Sequence, residues 1–253
     1  MIDSHCHLTD PRLAEQLDMV LERAAAAGVG RMITIGTDLD DAIKVVEVCR
    51  ALDNVRCAIG VHPNRCGQVP IEDLPRLRQL QSDPSVLALG EMGLDYHWDY
   101  SPRDRQRHAF EFQLQLASEL NRPVVIHCRE ATDDCLAIMR HYPAARAVFH
   151  CFTGSQEEAR KILDAGYLLG FTGAVTFKKN DELRAACKLA PLDRILVETD
   201  APYLSPEPVR KQKTNEPAFV LHVAAVVAQV HGISAEELDR ITTENVGALF
   251  GWT

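Results

Sequence analysis

The side chains best equipped for chemistry in this sequence are imidazoles and carboxylates placed where apolar runs stop. His5 and His7 stand two apart, close to Asp3. On an extended chain both imidazoles face one way and Cys6 the other, so they can converge on one ligand. His62 follows the run at 55 to 61, and Glu91 lies in GEMGLDY at 90 to 96. His127 ends the run at 123 to 127, His150 follows Phe149, and Asp200 closes ILVETD at 195 to 200. A polar group at the end of a buried run is costly without a partner, and a metal ion is such a partner. Histidine nitrogen with carboxylate oxygen, and no thiolate, suits zinc, manganese, iron or, with more carboxylate and water, magnesium. The glycines beside Glu91 let the backbone turn sharply next to a ligand, where the carboxylate can bridge two cations. Asp200 can bind metal and also take a proton from bound water. Glu198 is suited to orienting a ligating histidine.

An anionic substrate would need cations, and phosphate is the natural choice for them. Arg129, two residues after His127, is the best placed. Lys178, Lys179 and Lys213 read more simply as solvated loop charges, and Arg210 and Lys211 share the loop of Lys213.

Such groups have to be carried to one place by the fold. Short apolar runs at residues 31 to 36, 55 to 61, 86 to 90, 123 to 127, 147 to 152, 167 to 171 and 194 to 198 read as buried strands, and residues 1 to 5 add another. Amphipathic helical stretches lie between them at 11 to 27, 39 to 52, 103 to 120 and 155 to 165, and the chain from Asn215 reads as two or three packing helices. Alternating strand and helix over this length predicts a (β/α)8 TIM barrel, a single α/β domain over 1 to 253. An open doubly wound sheet is the alternative, but the first strand runs into His-Cys-His where a dinucleotide fold would show GxGxxG. In a barrel the strand ends build one site from separate loops. His5, His7, His62, Glu91, His127, His150 and Asp200 all fall at such ends, with Glu91 closing strand four.

Bulk properties narrow the partners. A net charge of −9 with pI near 5.6 argues against coating nucleic acid through a general basic surface. The eight cysteines have no CxxC spacing and are expected to be reduced and mostly buried. No run approaches the roughly 18 apolar residues of a membrane span, and the first residues lack a signal peptide's pattern. A cytoplasmic enzyme is expected, monomeric and without a membrane partner.

Taken together, IDSHCHL at 2 to 8, IGVHP at 59 to 63, GEMGLDY at 90 to 96, VVIHCRE at 124 to 130, HCFTG at 150 to 154 and ETDAPYL at 198 to 204 resemble the TatD-family metal-dependent deoxyribonucleases of the amidohydrolase superfamily. The resemblance spans essentially the whole chain. It implies a distorted TIM barrel with two divalent ions (zinc, manganese or magnesium) held by His5, His7, Glu91, His127, His150 and Asp200. The first ion would fall to the HxH pair with Asp200, the second to His127 and His150, with Glu91 bridging. His62 would contact the substrate phosphate or act in proton transfer. The implied activity is hydrolysis of DNA phosphodiesters, often from the 3′ end, by metal-activated water, with Asp200 as base and His62 and Arg129 steadying the phosphate. One departure is local: relatives often carry Arg-Gly-Lys before Asn-Glu-Pro, where this chain has Arg210-Lys211-Gln212-Lys213-Thr214. The rival chemistry is hydrolysis of a small cyclic amide, ester or nucleobase on the same metals. Superfamily members with a carbamylated lysine place it at the end of strand four, where this chain has Glu91.

Overall fold

The computed structural model describes residues 1–252. Its strands are β1 (Ile2–Cys6), β2 (Arg31–Gly36), β3 (Val55–Ile59), β4 (Val86–Asp95), β5 (Val124–Arg129), β6 (Ala147–Phe149), β7 (Leu168–Phe171) and β8 (Ile195–Val197). They form one eight-stranded sheet in the order β1 to β8. Helices alternate with them: α1 (Pro11–Ala14), α2 (Leu17–Ala26), α3 (Leu39–Ala51), α4 (Arg76–Leu80), α5 (Arg103–Leu120), α6 (Thr132–Met139), α7 (Gln156–Asp164), α8 (Asp181–Leu189), α9 (Val220–His231) and α10 (Ala235–Phe250). This is the (β/α)8 TIM barrel fold. By internal contacts the chain divides into two compact units, Met1–Thr34 with the chain from Cys151 onward, and Ile35–His150.

In the first unit β7 pairs parallel to β8, with Phe171 opposite Val197. Beyond β8 the chain turns to β1: Asp200 N–H donates to the His5 carbonyl at 2.9 Å and His7 N–H to the Ala201 carbonyl at 2.7 Å. A parallel bridge joins Cys6 to Ala201. These bonds set the backbone of the HxH pair beside that of Asp200. Behind the strands, Val223, Ala224, Val227, Leu238 and Val246 from α9 and α10 are buried. Ser155 begins α7 with a reciprocal capping box to Glu158, which satisfies two otherwise orphaned amides.

In the second unit β4 pairs with β3 and β5, and β5 with β6, all parallel. Strand β4 is longer than its apolar run predicts. It continues through Asp95, so Glu91 sits in mid-strand and not at its end. The pairing survives because register shifts between Leu89 and Met92 and because Gly90 and Gly93 take φ values of 134° and 141°. A Cβ on Gly93 would strike the His127 carbonyl, so only glycine lets β4 lie this close to β5. The stretch at 11 to 27 also departs from expectation, splitting into α1, capped by Asp10 with Pro11 at its first turn, and α2. All eight cysteines are free thiols, and Cys6, Cys49, Cys57, Cys66, Cys135 and Cys187 are buried. No single helix among the described residues is long and apolar enough to cross a membrane.

Candidate metal centre

The first unit brings together His5, His7 and Asp200. His7 Nε2 lies 3.3 Å and His5 Nε2 3.6 Å from Asp200 Oδ1, and the two rings meet edge to face at 5.1 Å. Asp200 takes a left-handed backbone, φ 56°. A non-glycine residue adopts that conformation at a cost, and such strain is often found where a functional side chain is aimed. The strap holding it there is Asp3, fully buried. Its carboxylate accepts from the Thr199 amide at 2.9 Å and the Thr199 hydroxyl at 2.6 Å. Burial pushes the Asp3 carboxyl up to about 8, against the lowering effect of those bonds. Glu198 accepts from the Cys151 amide at 2.6 Å and from Ser4 Oγ at 3.2 Å. It lies against Gly170, where a Cβ would come within 2.6 Å of its carboxylate.

The second unit gathers His62, Glu91, His127 and His150. Glu91 Oε1 is 2.6 Å from His150 Nε2, 2.7 Å from His127 Nδ1 and 3.2 Å from His62 Nε2. Burial alone would raise the Glu91 carboxyl. His150 and His62 facing it, with hydrogen bonds from His127 and His150, hold it well below the usual carboxylate range.

The far nitrogen of His127 decides how that ring is used. Nε2 lies 3.0 Å from Asp95 Oδ2, so Nε2–H donates there and Nδ1 faces inward toward Glu91, carrying a proton that a bound cation would replace on its lone pair. A carboxylate behind a histidine in this way is the common support of a metal ligand. Although burial opposes the cation, the bonds to Asp95 and Glu91 raise His127 to about 10. Burial would raise Asp95, but its bond with His127 leads in bringing it down to about 2.

His62 is arranged differently. Its Nδ1 accepts the Asn64 amide at 3.0 Å, which places the proton of the neutral ring on Nε2 and makes that atom a donor. A donor suits Glu91 or a phosphate oxygen better than it suits a cation, and burial lowers the ring's pKa, favouring the neutral form.

These donor sets fit divalent ions. Two donors each about 2.1 Å from one ion stand roughly 3.0–3.5 Å apart. His7 Nε2 and Asp200 Oδ1 are 3.3 Å apart, as are His127 Nδ1 and His150 Nε2. Two imidazole nitrogens facing each other at that distance need a proton or a cation between them.

Among the sequence-predicted residues, then, His5, His7 and Asp200 cluster in one unit and His62, Glu91, His127 and His150 in the other. Arg129 joins neither cluster. It ends β5, exposed, with its guanidinium 5.6 Å from the Trp98 ring centre. Asp95, bonded to His127, is the candidate-site residue that sequence reasoning missed. Glu91, Gly93 and Asp95 share one face of β4 by their spacing of two, a signal visible once the strand is drawn through the glycines.

The model of the family described as TatD related DNase matches residues 2–251. An uncharacterized metal-dependent hydrolase of Bacillus subtilis, YabD, is 40% identical over 252 residues, covering 99% of this chain and 98% of that one. The 3′-5′ ssDNA/RNA exonuclease TatD of Cronobacter sakazakii is 38% identical over 256 residues, covering 99% and 97%. Among solved structures, the TatD homolog YjjV of Escherichia coli superposes with a TM-score of 0.95 at 29% identity, covering 100% of this chain and 98% of that one. The donor sets, the barrel and these matches agree: the chain belongs to the TatD-related DNase family.

Proposed function

We propose that this chain is a metal-dependent nuclease that hydrolyses phosphodiester bonds of single-stranded nucleic acid from the 3′ end. The observation that carries the reading is the His127–His150–Glu91 cluster with Asp95 behind it, a metal-ligand arrangement that a merely structural histidine pair has no use for. The choice of substrate draws support from the relative named as an ssDNA/RNA exonuclease.

One divalent ion would be held by His5, His7 and Asp200 and a second by Glu91, His127 and His150. Bound there, zinc, manganese or magnesium would polarise a phosphoryl oxygen and make water acidic enough to attack near neutral pH. Asp200 would take the proton of the attacking water, its backbone held by the bond to the His5 carbonyl and by neighbouring Thr199, which Asp3 anchors. His62 donates from Nε2 to a phosphate oxygen, and Arg129 supplies a second donor to the phosphate. The whole chain acts as one catalytic domain and as a monomer. Its eight free thiols suit the cytoplasm.

Time-resolved digestion of 3′- and 5′-end-labelled DNA in magnesium, manganese and zinc tests this. The native chain should shorten strands stepwise from the 3′ end, and Glu91→Ala should lose at least 100-fold in rate. Turnover of lactones or cyclic amides with intact DNA would overturn the reading.

A further inference from the structure

Large apolar side chains exposed singly, such as Met19, Ile43 and Ile71, are ordinary on a protein surface. Trp98 and Tyr100 are not single. They stand 43% and 63% exposed, with rings stacked at 5.6 Å and 25° between planes. Cations lie beside them. Arg129 approaches the Trp98 ring at 5.6 Å, and Arg103 covers neighbouring Tyr96 at 4.1 Å.

The segment that bears these rings is fixed at both ends. At its start, Asp95 Oδ1 accepts the amides of His97 at 3.0 Å and Trp98 at 3.2 Å, while its other oxygen takes Nε2–H of His127. At its finish, the buried Ser101 hydroxyl accepts the Gly67 amide at 2.8 Å. Fully buried Gln106 ties the two ends together, donating to the carbonyls of Asp95 and Ser101, both at 3.0 Å, and accepting the Asp95 amide at 2.8 Å. Nearby Glu130 is engaged by His97 at 2.7 Å. The stacked pair, with the His97 ring meeting Trp98 edge to face at 4.7 Å, is thus held partly exposed to water on a preordered segment that begins at the carboxylate bracing His127. Preordering removes the entropy that a mobile loop would lose on binding.

We infer that Trp98 and Tyr100, flanked by Arg129, form a base-stacking subsite for unpaired nucleotides of the nucleic-acid strand whose backbone enters the metal centre. Stacking on aromatic rings accepts every base, because each has a π-face, and it requires that the face be open, which a duplex denies. The guanidinium of Arg129 then meets phosphate while the rings hold the base. The subsite confers preference for single strands. It rests on the nuclease reading above but adds Trp98 and Tyr100, which the hydrolytic step does not need.

The chain has two tryptophans, so Trp252→Phe leaves Trp98 as the only indole. Metal-loaded Trp252→Phe protein is titrated with a phosphorothioate-linked octathymidylate and with the abasic strand of equal length and charge, which has no base to stack. The thymidylate should quench the indole saturably and bind about tenfold more tightly than the abasic strand by anisotropy of an end label. Trp98→Ala and Tyr100→Ala should each bring that affinity ratio toward one, with Trp98→Phe keeping most of it. An indole unchanged at saturation, a ratio already near one in the parent, or a ratio unmoved by both alanine variants would overturn the subsite. Stepwise digestion of end-labelled DNA alongside any of these results would leave the nuclease reading standing, so the two can fail separately.

Discussion

Asp95 shows how much one carboxylate can hold. Its two oxygens receive Nε2–H of His127, the Asn64 side-chain amide and the backbone amides of His97 and Trp98. All four are donors, a demand that only an ionised carboxylate meets on both oxygens. Asn in its place offers one accepting oxygen and turns an NH2 toward two of those donors. Asp95→Asn should therefore lower divalent-metal affinity about 10- to 100-fold, the usual cost of losing a carboxylate behind a ligand histidine. Calorimetric titration with manganese checks this, and unchanged affinity would remove Asp95 from the metal centre. The residue lay in plain view within GEMGLDY but had no role to attract attention. Its partners come from positions 64, 97, 98 and 127, and only the pairing of β4 with β5 brings His127 to it. The candidate histidines were easier to single out, since each interrupts or ends an apolar run where a polar ring needs a partner. The tautomer that sets His62 apart from them depends on the turn at Asn64, which no residue pattern discloses.

At the scale of elements, the strands were legible because strands buried on both faces in a parallel sheet read as continuous apolar runs. Their ends were not, because hydrogen bonding and not hydropathy sets them: β4 outlasts its apolar run by five residues, Glu91 to Asp95, and β6 stops at Phe149. The Asn215-Glu216-Pro217 stretch, recognisable as a motif, acquires a physical purpose in the fold. Fully buried Asn215 donates to the carbonyls of Thr199 and Tyr203, at 2.9 and 2.5 Å, on either side of Asp200. Glu216 pairs with Arg23 of α2 at 2.6 Å. The loop before it closes through Ser205 Oγ donating to the Gln212 carbonyl at 2.8 Å. Asn215→Ala leaves two carbonyls short of a donor, and a buried unsatisfied group costs about 1–3 kcal/mol. The thermal midpoint should fall by about 2–12 °C for a chain of this size, and the loss in kcat should exceed the change in KM because Asp200 loses its setting. Calorimetry with steady-state kinetics on an end-labelled strand measures both. An intact midpoint would show that the loop after β8 is held by other bonds.

For the molecule as a whole, the question is how a chain with 36 acidic and 27 basic residues handles a polyanion. A surface of that balance repels nucleic acid at long range, so attraction has to be local. Bound divalent ions would be the largest positive charges available, with Arg129 against the Trp98 ring and Arg103 against neighbouring Tyr96. Few phosphates are then neutralised by side chains, and few counterions are released. For single strands the logarithm of the binding constant falls with the logarithm of salt at about −0.7 per phosphate contact. With two or three such contacts the slope should lie between about −1.4 and −2.1. A protein that tracked DNA along a basic groove would give a much steeper dependence. Fluorescence anisotropy of a phosphorothioate-linked octathymidylate over a range of monovalent salt, at fixed divalent ion, reads the slope directly. A value near −5 would mean that an extended basic tract does the binding, contrary to the charge distribution. A shallow slope that Arg129→Gln reduces by about 0.7 would assign one of the contacts to that residue. It would also explain why so acidic a chain can work on nucleic acid: stacking and metal coordination, neither strongly screened by monovalent salt, take over the part that surface charge plays elsewhere.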